Sequence, residues 1–275
     1  MLLKLITLLF LALPLWSGQR IIALSPSVNE ILFALGAGER VVANTEYCNY
    51  PPEAKTKPKV GGYFSPSFEK IVALKPTIVI MQENNAHMAE PLRRMGIAVE
   101  VTKIDTYPSI RRAIQRIAKI VDNEPEGRAI IGGLDRKMAS LKGIVMGQKI
   151  LMVFGHNTDL SRPLYVSGQN LYFDDIITAS GNVNALQSRR RGQPVVNLEQ
   201  IIGMNPDIIV LLAPNTRSLG LNKEALTAPW KKLPLNAVRH DRIYVADGEY
   251  ANNPSHRLGL FLDDFRRFLH DAARH

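Results

Sequence analysis

The sequence predicts an α/β protein made of two similar lobes with mainly parallel sheets, joined by a long helix. Three observations favour this fold class. Two segments 130 residues apart share one pattern, short buried strands alternate with helices in both halves of the chain, and the middle of the chain is helical in character. Strands that alternate with helices at this spacing are typical of parallel sheets covered on both faces.

The shared pattern occurs in Ser67–Met81 and again in Asn197–Leu211, which align without a gap. Glu69 aligns with Glu199, and a proline precedes the strand in each copy. Each copy predicts a capped helix, a turn closed by proline and a buried strand. One such unit in each half indicates two lobes that face each other, an arrangement suited to binding something between them.

Residues 1–18 are predicted to be a signal peptide. Lys4 is the only charge before an apolar run, Leu5–Leu15, which is too short to span a bilayer at about 20 residues per crossing. Cleavage is expected after Ser17 or Gly18, and a buried N-terminal helix is the alternative. We therefore expect a periplasmic protein, and no cysteine follows the run to carry a lipid anchor.

Cysteine content and net charge limit the disulfides that can form and the kinds of partner that the chain can bind. Cys48 is the only cysteine, so no intramolecular disulfide can form. The net charge of +9 falls to +8 when Lys4 is removed, and such a balance is compatible with nucleic acid, an anionic surface or an anionic ligand. Export and the scattering of the basic residues argue against nucleic acid. The mature chain is long enough for two lobes, each with its own core.

The N-terminal lobe is predicted to span residues 19–106. A short apolar run, Arg20–Leu24, predicts its first strand. A helix follows from Pro26, because proline is favourable at a helix start, and ends at Gly36 and Gly38. Further strands are predicted at Val41–Ala43, before Met81, and at Ile97–Val101.

Residues 107–147 are predicted to be a helical linker. Helices are expected at Pro108–Val121 and Pro125–Leu141, and apolar residues recur at helical spacing in the second. At 1.5 Å per residue the second helix is about 25 Å long, enough for a strut between the lobes.

The C-terminal lobe is predicted to span residues 148–275, with strands at Lys149–Phe154, Pro206–Leu212 and Arg242–Ala246. A terminal helix with one apolar face is expected from Pro254. Both lobes are therefore expected to be Rossmann-like. Trp230, the only tryptophan after the signal segment, stands in a stretch that reads as peripheral.

Three motifs carry a resemblance to a known family: Tyr47–Ala54, Pro58–Tyr63 and Glu69–Pro76. They resemble the periplasmic binding proteins of ABC importers for vitamin B12 and, more loosely, the carriers of ferric siderophores and haem. The resemblance implies two α/β lobes joined by one rigid helix and closing little on the ligand. We expect a monomer that hands a small metal chelate to an ABC permease dimer with its ATPase.

The same resemblance implies roles for the two aligned glutamates, Glu69 and Glu199, which would dock on arginines of the permease. A purely local role is the alternative. With Ser67 or Asn197 as N-cap, each carboxylate lies in the first helical turn, where the helix dipole stabilises it by about 0.3–1 kcal/mol. Both roles can hold together.

For the ligand cleft, the resemblance implies aromatic side chains from both lobes, and ordinary half-buried packing is the alternative. At two positions where B12 carriers tend to place tryptophan, this chain has glutamine, which makes the cleft more polar but still suited to the amides of a corrinoid. The expected cleft residues are Tyr47, Tyr63, Gln82, Tyr165, Gln193 and Arg257.

Two further groups were considered for ligand contact. Arg189, Arg190 and Arg191 are placed at the cleft edge by the resemblance, where they would meet carboxylates or a phosphate, although such a run is usually solvated. His87 and His156 follow predicted strands and are more typical of surface histidines. No zinc motif is present, so we expect no metal site and no cofactor other than the ligand itself.

Catalytic patterns are absent from the sequence. It has no G-x-S-x-G elbow and no S-x-x-K joined to K-T-G, and Gly36-Ala-Gly38 lacks the third glycine of a dinucleotide loop. The sequence therefore predicts a carrier and not an exported enzyme, which is the other class considered. A corrinoid such as cobalamin is the first choice of ligand, and a ferric siderophore, haem or a nickel chelate is the alternative.

Overall fold

A computed structural model describes residues 18–188 and 193–274. Most of the predicted signal peptide and Arg189–Arg191 lie outside these residues. The first lobe is built on a parallel sheet of four strands in the order β2-β1-β3-β4, with three helices. Its strands are β1 (Ile21–Ala23), β2 (Val41–Asn44), β3 (Ile78–Gln82) and β4 (Ala98–Thr102), and its helices are α1 (Pro26–Ala34), α2 (Phe68–Ala73) and α3 (Ala89–Arg94).

Two packed helices, α4 (Tyr107–Ile120) and α5 (Glu124–Ala139), connect the lobes. Thr106 caps α4 in a reciprocal box with Ser109, which satisfies backbone N–H groups that the first turn leaves unpaired. The predicted strut corresponds to α5, which at 1.5 Å per residue is about 24 Å long. It packs against α4 on one side of the junction and against the C-terminal helix on the other.

The second lobe has a mixed sheet of six strands, in which β6 runs antiparallel to its neighbours β5 and β8 and the other five strands run in one direction. Its strands are β5 (Lys149–Phe154), β6 (Leu164–Val166), β7 (Val183–Asn184), β8 (Val195–Val196), β9 (Ile208–Leu212) and β10 (Ile243–Ala246). Its helices are α6 (Tyr172–Ala179), α7 (Leu198–Met204), α8 (Lys223–Thr227), α9 (Asn236–Arg239) and α10 (Leu258–Ala272).

The internal repeat folds as the same unit in both lobes. The side chains of Ser67 and Asn197 cap α2 and α7 by accepting the N–H three residues on. Lys75 and Asn205, the residues before the shared prolines, both adopt left-handed backbone with φ of 47° and 43°. The alignment of the two segments is thus an alignment of backbone conformation as well.

The hydrophobic interior is divided differently from the expectation of one core per lobe. Strand residues alternate between the faces of each sheet, so Ile80 of β3 and Met152 of β5 enter one shared central core with α4, α5 and α10. The opposite faces, with Val79 and Leu151 as examples, line separate outer cores. The lobes are therefore joined by packed apolar surface in addition to the linker.

Trp230 is not peripheral. Its side chain is fully buried in the outer core of the second lobe, beside Leu226 and Leu235. Lys231 and Lys232 follow it directly, so the sequence pattern does not mark a single inward-facing ring. Across residues 18–188 and 193–274, no helix has the length and apolar character needed to cross a membrane.

Candidate functional site

A cavity of about 950 Å³ lies between the lobes. That volume is at the upper end of the usual range for small-molecule sites. Five residues expected in the cleft line it, namely Tyr47, Tyr63, Gln82, Tyr165 and Gln193. The structure therefore brings together, from both lobes, side chains that are up to 146 residues apart in sequence.

Tyr63 and Gln82 form a bonded pair on the first-lobe wall. The Tyr63 hydroxyl donates to Gln82 Oε1 at 3.0 Å. Burial raises the pKa of Tyr63, so the side chain is a neutral phenol near pH 7. The Gln82 carbonyl oxygen is thereby occupied, and its amide N–H groups have no partner among the described residues.

The backbone under Tyr63 is held by the loop after β3. Asn84 and Asn85 donate their amide N–H groups to the Tyr63 carbonyl at 3.2 and 2.9 Å. Gly61 enters the turn with φ of 110°, and a Cβ there would lie 2.8 Å from the Ser65 carbonyl. This position requires glycine because both the backbone conformation and the close approach exclude a side chain.

Tyr47 projects from the loop that follows β2. The side chain of Lys59 stabilises this loop by hydrogen bonds. Its ammonium donates to Asn44 Oδ1, to the Ala54 carbonyl and to the Cys48 carbonyl at 2.7, 3.0 and 3.3 Å. One cation thus gathers three oxygens from a loop with no regular strand or α-helix. Its role was not visible in the sequence, because nothing in the motif indicates which lysine turns inward.

Three aromatic rings in the cavity lining are unusually exposed: Tyr47 at 62%, Phe64 at 79% and Tyr165 at 54%. An exposed phenylalanine costs hydrophobic free energy in water, so a ring left open inside a cavity is well placed to receive an apolar ligand surface. Phe64 was missed in the sequence. Its position next to Tyr63, at the tip of a glycine turn, is the signal that could have identified it.

The second-lobe wall begins at β6, where Tyr165 pairs with Phe154 of β5 in the antiparallel ladder. Phe154 stands edge-on to Phe173, with ring centroids 5.5 Å apart, and Tyr172 lies against Phe173 at 4.1 Å. These three buried rings also line the cavity. In the sequence these rings have the same pattern as ordinary core aromatics.

Few charged side chains line the cavity. Lys103 and Asp105 form an ion pair at 3.3 Å, and Glu83 is the third ionisable group other than tyrosine among the described lining residues. The rest of the polar lining consists of amides and hydroxyls, including Ser27, Asn252 and Asn253. Such a surface hydrogen-bonds a polar ligand without requiring a particular net charge.

Protein ligands for a metal are scarce in this cavity. No histidine, cysteine or methionine occurs among its described lining residues. His87 is exposed in the turn after β3, and His156 bonds through Nε2 to the Pro214 carbonyl at 2.7 Å. Within the described ranges, no group of three or more histidine, cysteine or acidic side chains is arranged to hold a metal ion.

Arg257 does not line the cavity, contrary to the expectation from the sequence. Its side chain is only 10% exposed, and its Nη1 donates to Glu30 Oε1 at 3.0 Å. Its guanidinium also lies 3.7 Å from the centroid of the Tyr50 ring. The expected cleft contact fails because a partner 227 residues away in sequence draws the arginine inward.

Glu69 and Glu199 are both exposed in the first turns of α2 and α7. Neither forms an ion pair with any described residue. The pKa of Glu69 is lowered by its own backbone N–H and by the Ser67 hydroxyl, which donates to its Oε2 at 2.9 Å. Local stabilisation is therefore present at Glu69, and both carboxylates remain accessible. Arg189, Arg190 and Arg191 lie outside the described residues.

Comparison with known proteins fits this geometry. A family model described as periplasmic binding protein matches residues 21–250. The vitamin B12-binding protein of Vibrio parahaemolyticus is 25% identical over 242 residues, covering 87% of this chain and 85% of the relative. The vitamin B12-binding protein of Salmonella typhimurium is 29% identical over 210 residues, covering 74% and 76%.

Solved structures extend the comparison. The periplasmic haem-binding protein RhuT of Roseiflexus superimposes with a TM-score of 0.74 at 27% identity, over 93% of this chain and 99% of that one. The vitamin B12-binding protein BtuF of Vibrio cholerae gives a TM-score of 0.77 at 22% identity, over 94% and 98%, which speaks for the fold alone. Members of the matched family are substrate-binding proteins of transporters and not enzymes. Because the family model covers most of the sequence, this chain belongs to the periplasmic binding protein family.

Proposed function

We propose that this protein captures a metal chelate in the periplasm and delivers it to an ABC permease with its ATPase, and that the chelate is cobalamin or a related corrinoid. The observation that carries the proposal is the convergence of exposed aromatic rings from both lobes on one cavity whose polar lining is dominated by amides and hydroxyls. Flat rings contact the faces of a macrocycle, and amide groups match the amide side chains of a corrinoid.

The coordination chemistry of the lining favours a ligand whose metal is already saturated. Tyr63 is a neutral phenol that donates to Gln82, so it is a poor ligand for a metal. Haem bound by a protein commonly takes an axial histidine, cysteine, methionine or tyrosine. Of these ligands only tyrosine occurs in the described lining, with Tyr47 and Tyr165 as its exposed examples, and this keeps haem as an alternative along with ferric siderophores and a nickel chelate.

The ligand is tested by thermal unfolding of the mature protein with cyanocobalamin, haemin, ferric siderophores or nickel–histidine. A ligand at 100 times its Kd stabilises the fold by about 2.7 kcal/mol, which is a visible shift. We expect a shift with cyanocobalamin, reduced in Tyr63→Ala and Phe64→Ala. A shift with haemin alone, lost in Tyr47→Ala or Tyr165→Ala, would replace the corrinoid by haem.

For delivery, we propose that Glu69 and Glu199 each receive an arginine of the permease. Their exposure and their lack of an ion pair with any described residue leave both carboxylates available for charge-assisted hydrogen bonds. One such contact on each lobe suits a permease made of two similar subunits, because the repeat presents the same helix turn twice.

Delivery is tested with Glu69→Lys combined with Glu199→Lys in an uptake assay. We expect uptake to be lost while ligand affinity stays at the wild-type value, since neither residue lines the cavity. Glu90→Lys with Glu224→Lys is the matched control, because it makes the same charge change at one exposed helical glutamate of each lobe. Equal loss of uptake in the control would reduce the effect to net charge.

A further inference from the structure

A continuous set of polar side chains connects the two lobes beside the cavity. Ser27 of α1 and Asn253 of the second lobe both line the cavity, and the Ser27 hydroxyl donates to Asn253 Oδ1 at 2.5 Å. One helical turn further along α1, Glu30 accepts from the Ser255 hydroxyl and from Arg257 Nη1. The set therefore runs from the cavity surface into the junction between the lobes.

Its inner end is a buried ion pair. The side chains of Glu30 and Arg257 are only 5% and 10% exposed. The face of the Tyr50 ring lies against the guanidinium at 3.7 Å, and the Tyr50 carbonyl accepts from Asn29 at 2.9 Å. The charge of Glu30 is thus enclosed by second-lobe groups, and that of Arg257 by first-lobe groups. Because both side chains are buried, water cannot readily replace a partner that is removed.

A buried ion pair is weak evidence for a gain in stability. Burial raises the pKa of Glu30 even though Ser255, Arg257 and Asn253 act in the opposite direction. Removing the carboxylate from water therefore outweighs what its partners return. Buried ion pairs of this kind are often replaceable by apolar residues at no loss of stability, whereas breaking one partner is strongly destabilising.

We propose that Glu30 and Arg257 are positioning residues that fix the register and angle between the lobes, and with them the width of the cavity. Apolar contacts are non-directional, so the shared core favours close packing of the lobes without selecting one register by itself. A buried charge is directional: a displacement of Arg257 relative to α1 separates it from Glu30, and its other acidic neighbour, Glu249 at 4.0 Å, belongs to its own lobe. Through Asn253 and Ser27 that arrangement reaches the cavity surface.

Interlobe distance in the ligand-free protein tests this directly. Spin labels on cysteines introduced at Arg94 and Lys232, one exposed site in each lobe, report the distance distribution; Cys48 is 1% exposed and stays unlabelled. In Glu30→Leu with Arg257→Met, we expect a broader distribution with no fall in unfolding temperature. A distribution as narrow as that of the wild type would overturn the proposal.

A second variant and a control complete the test. Glu30→Gln keeps a hydrogen-bonding side chain but removes the charge; should the double variant fail to fold, broadening in Glu30→Gln supports the proposal and a wild-type distribution refutes it. Asp263→Asn removes the exposed ion pair of Lys137 with α10 and should leave the distribution unchanged. If Asp263→Asn broadens the distance distribution equally, the proposal that the buried Glu30–Arg257 pair fixes the lobes is wrong. Because no ligand is used, the result is independent of the proposed function.

Discussion

The two lobes contain the same repeated unit but differ in what surrounds it. In both, a capped helix with an exposed glutamate leads through a left-handed residue and a proline to a central strand. The cavity walls come from segments outside the repeat, including the loop between residues 44 and 66 in the first lobe and β5, β6 and the start of α6 in the second. The repeated part thus carries the proposed partner contact, and the unrepeated parts carry the proposed ligand contact.

This division has a physical reason. A permease with two similar subunits presents similar surfaces, so an identical unit on each lobe satisfies both. A chelate between the lobes has no such symmetry, and its two faces need different walls. The shared central core joins the two lobes that carry these differing walls. Four predictions test the comparison between the lobes.

The largest effect is expected in the shared core. Phe265→Ala should lower the free energy of unfolding by about 3–5 kcal/mol, because a large buried ring is replaced by a cavity. Calorimetry should still show one transition, since both lobes depend on this core. Two transitions, with the first lobe melting at its wild-type temperature, would contradict a shared core. Trp230→Ala is the matched control, because Trp230 lies in the outer core of the second lobe alone. In this variant, backbone hydrogen exchange should become faster mainly in the second lobe.

Acidification should weaken the junction between the lobes. Burial, helped by Arg257, lowers the pKa of His256 to about 4. A depressed pKa means that the stability contribution is complete above the unfolded pKa near 6.5 and is lost as pH falls toward 4, by at most about 3 kcal/mol. Glu30, with its raised pKa, acts in the opposite direction. The His256 contribution is therefore the difference between wild type and His256→Gln, measured by chemical denaturation from pH 7 to 4; an equal pH dependence in both would refute it.

The left-handed residues should respond in opposite ways. Lys75→Gly is expected to stabilise the protein by about 0.5–1 kcal/mol, because glycine removes the strain of a side chain at φ of 47°. Asn205→Gly should destabilise by about 1 kcal/mol, because Asn205 Oδ1 accepts from the Asn236 N–H at 2.8 Å. Denaturant titration of both variants checks the signs. The same sign in both would mean that the two turns are equivalent after all.

The regular elements were predictable because their patterns are long. The repeat, the linker helices and strands such as Lys149–Phe154 were all recovered from the sequence. Strands β6, β7 and β8 were missed, since two or three residues carry no periodicity. The terminal helix begins at Leu258 and not at Pro254, because Ser255 and Arg257 are held in a turn that bonds to Glu30.

The cavity was predictable at the positions that the family resemblance marked. Tyr47, Tyr63 and Gln82 stand in or next to recognisable motifs. Phe154 and Phe173 were missed because a buried ring beside a strand has the same signature in a core and in a cavity wall. Arg257 was misplaced since its partner Glu30 lies in the other lobe, and pairing over such a separation cannot be read from spacing.

The smallest effect is expected in the first turns of α2 and α7, which carry Glu69 and Glu199. Ser67 both caps α2 and donates to Glu69, whereas α7 is capped by Asn197 with Gln200 in a reciprocal box that leaves Glu199 out. In Ser67→Ala we therefore expect the pKa of Glu69 to rise toward its ordinary value. Carboxyl NMR titration measures both groups in one sample, with Glu199 as the internal control. An unchanged Glu69 midpoint would contradict this, because it would show that the backbone N–H of Glu69, the larger cause, lowers the pKa without help from Ser67.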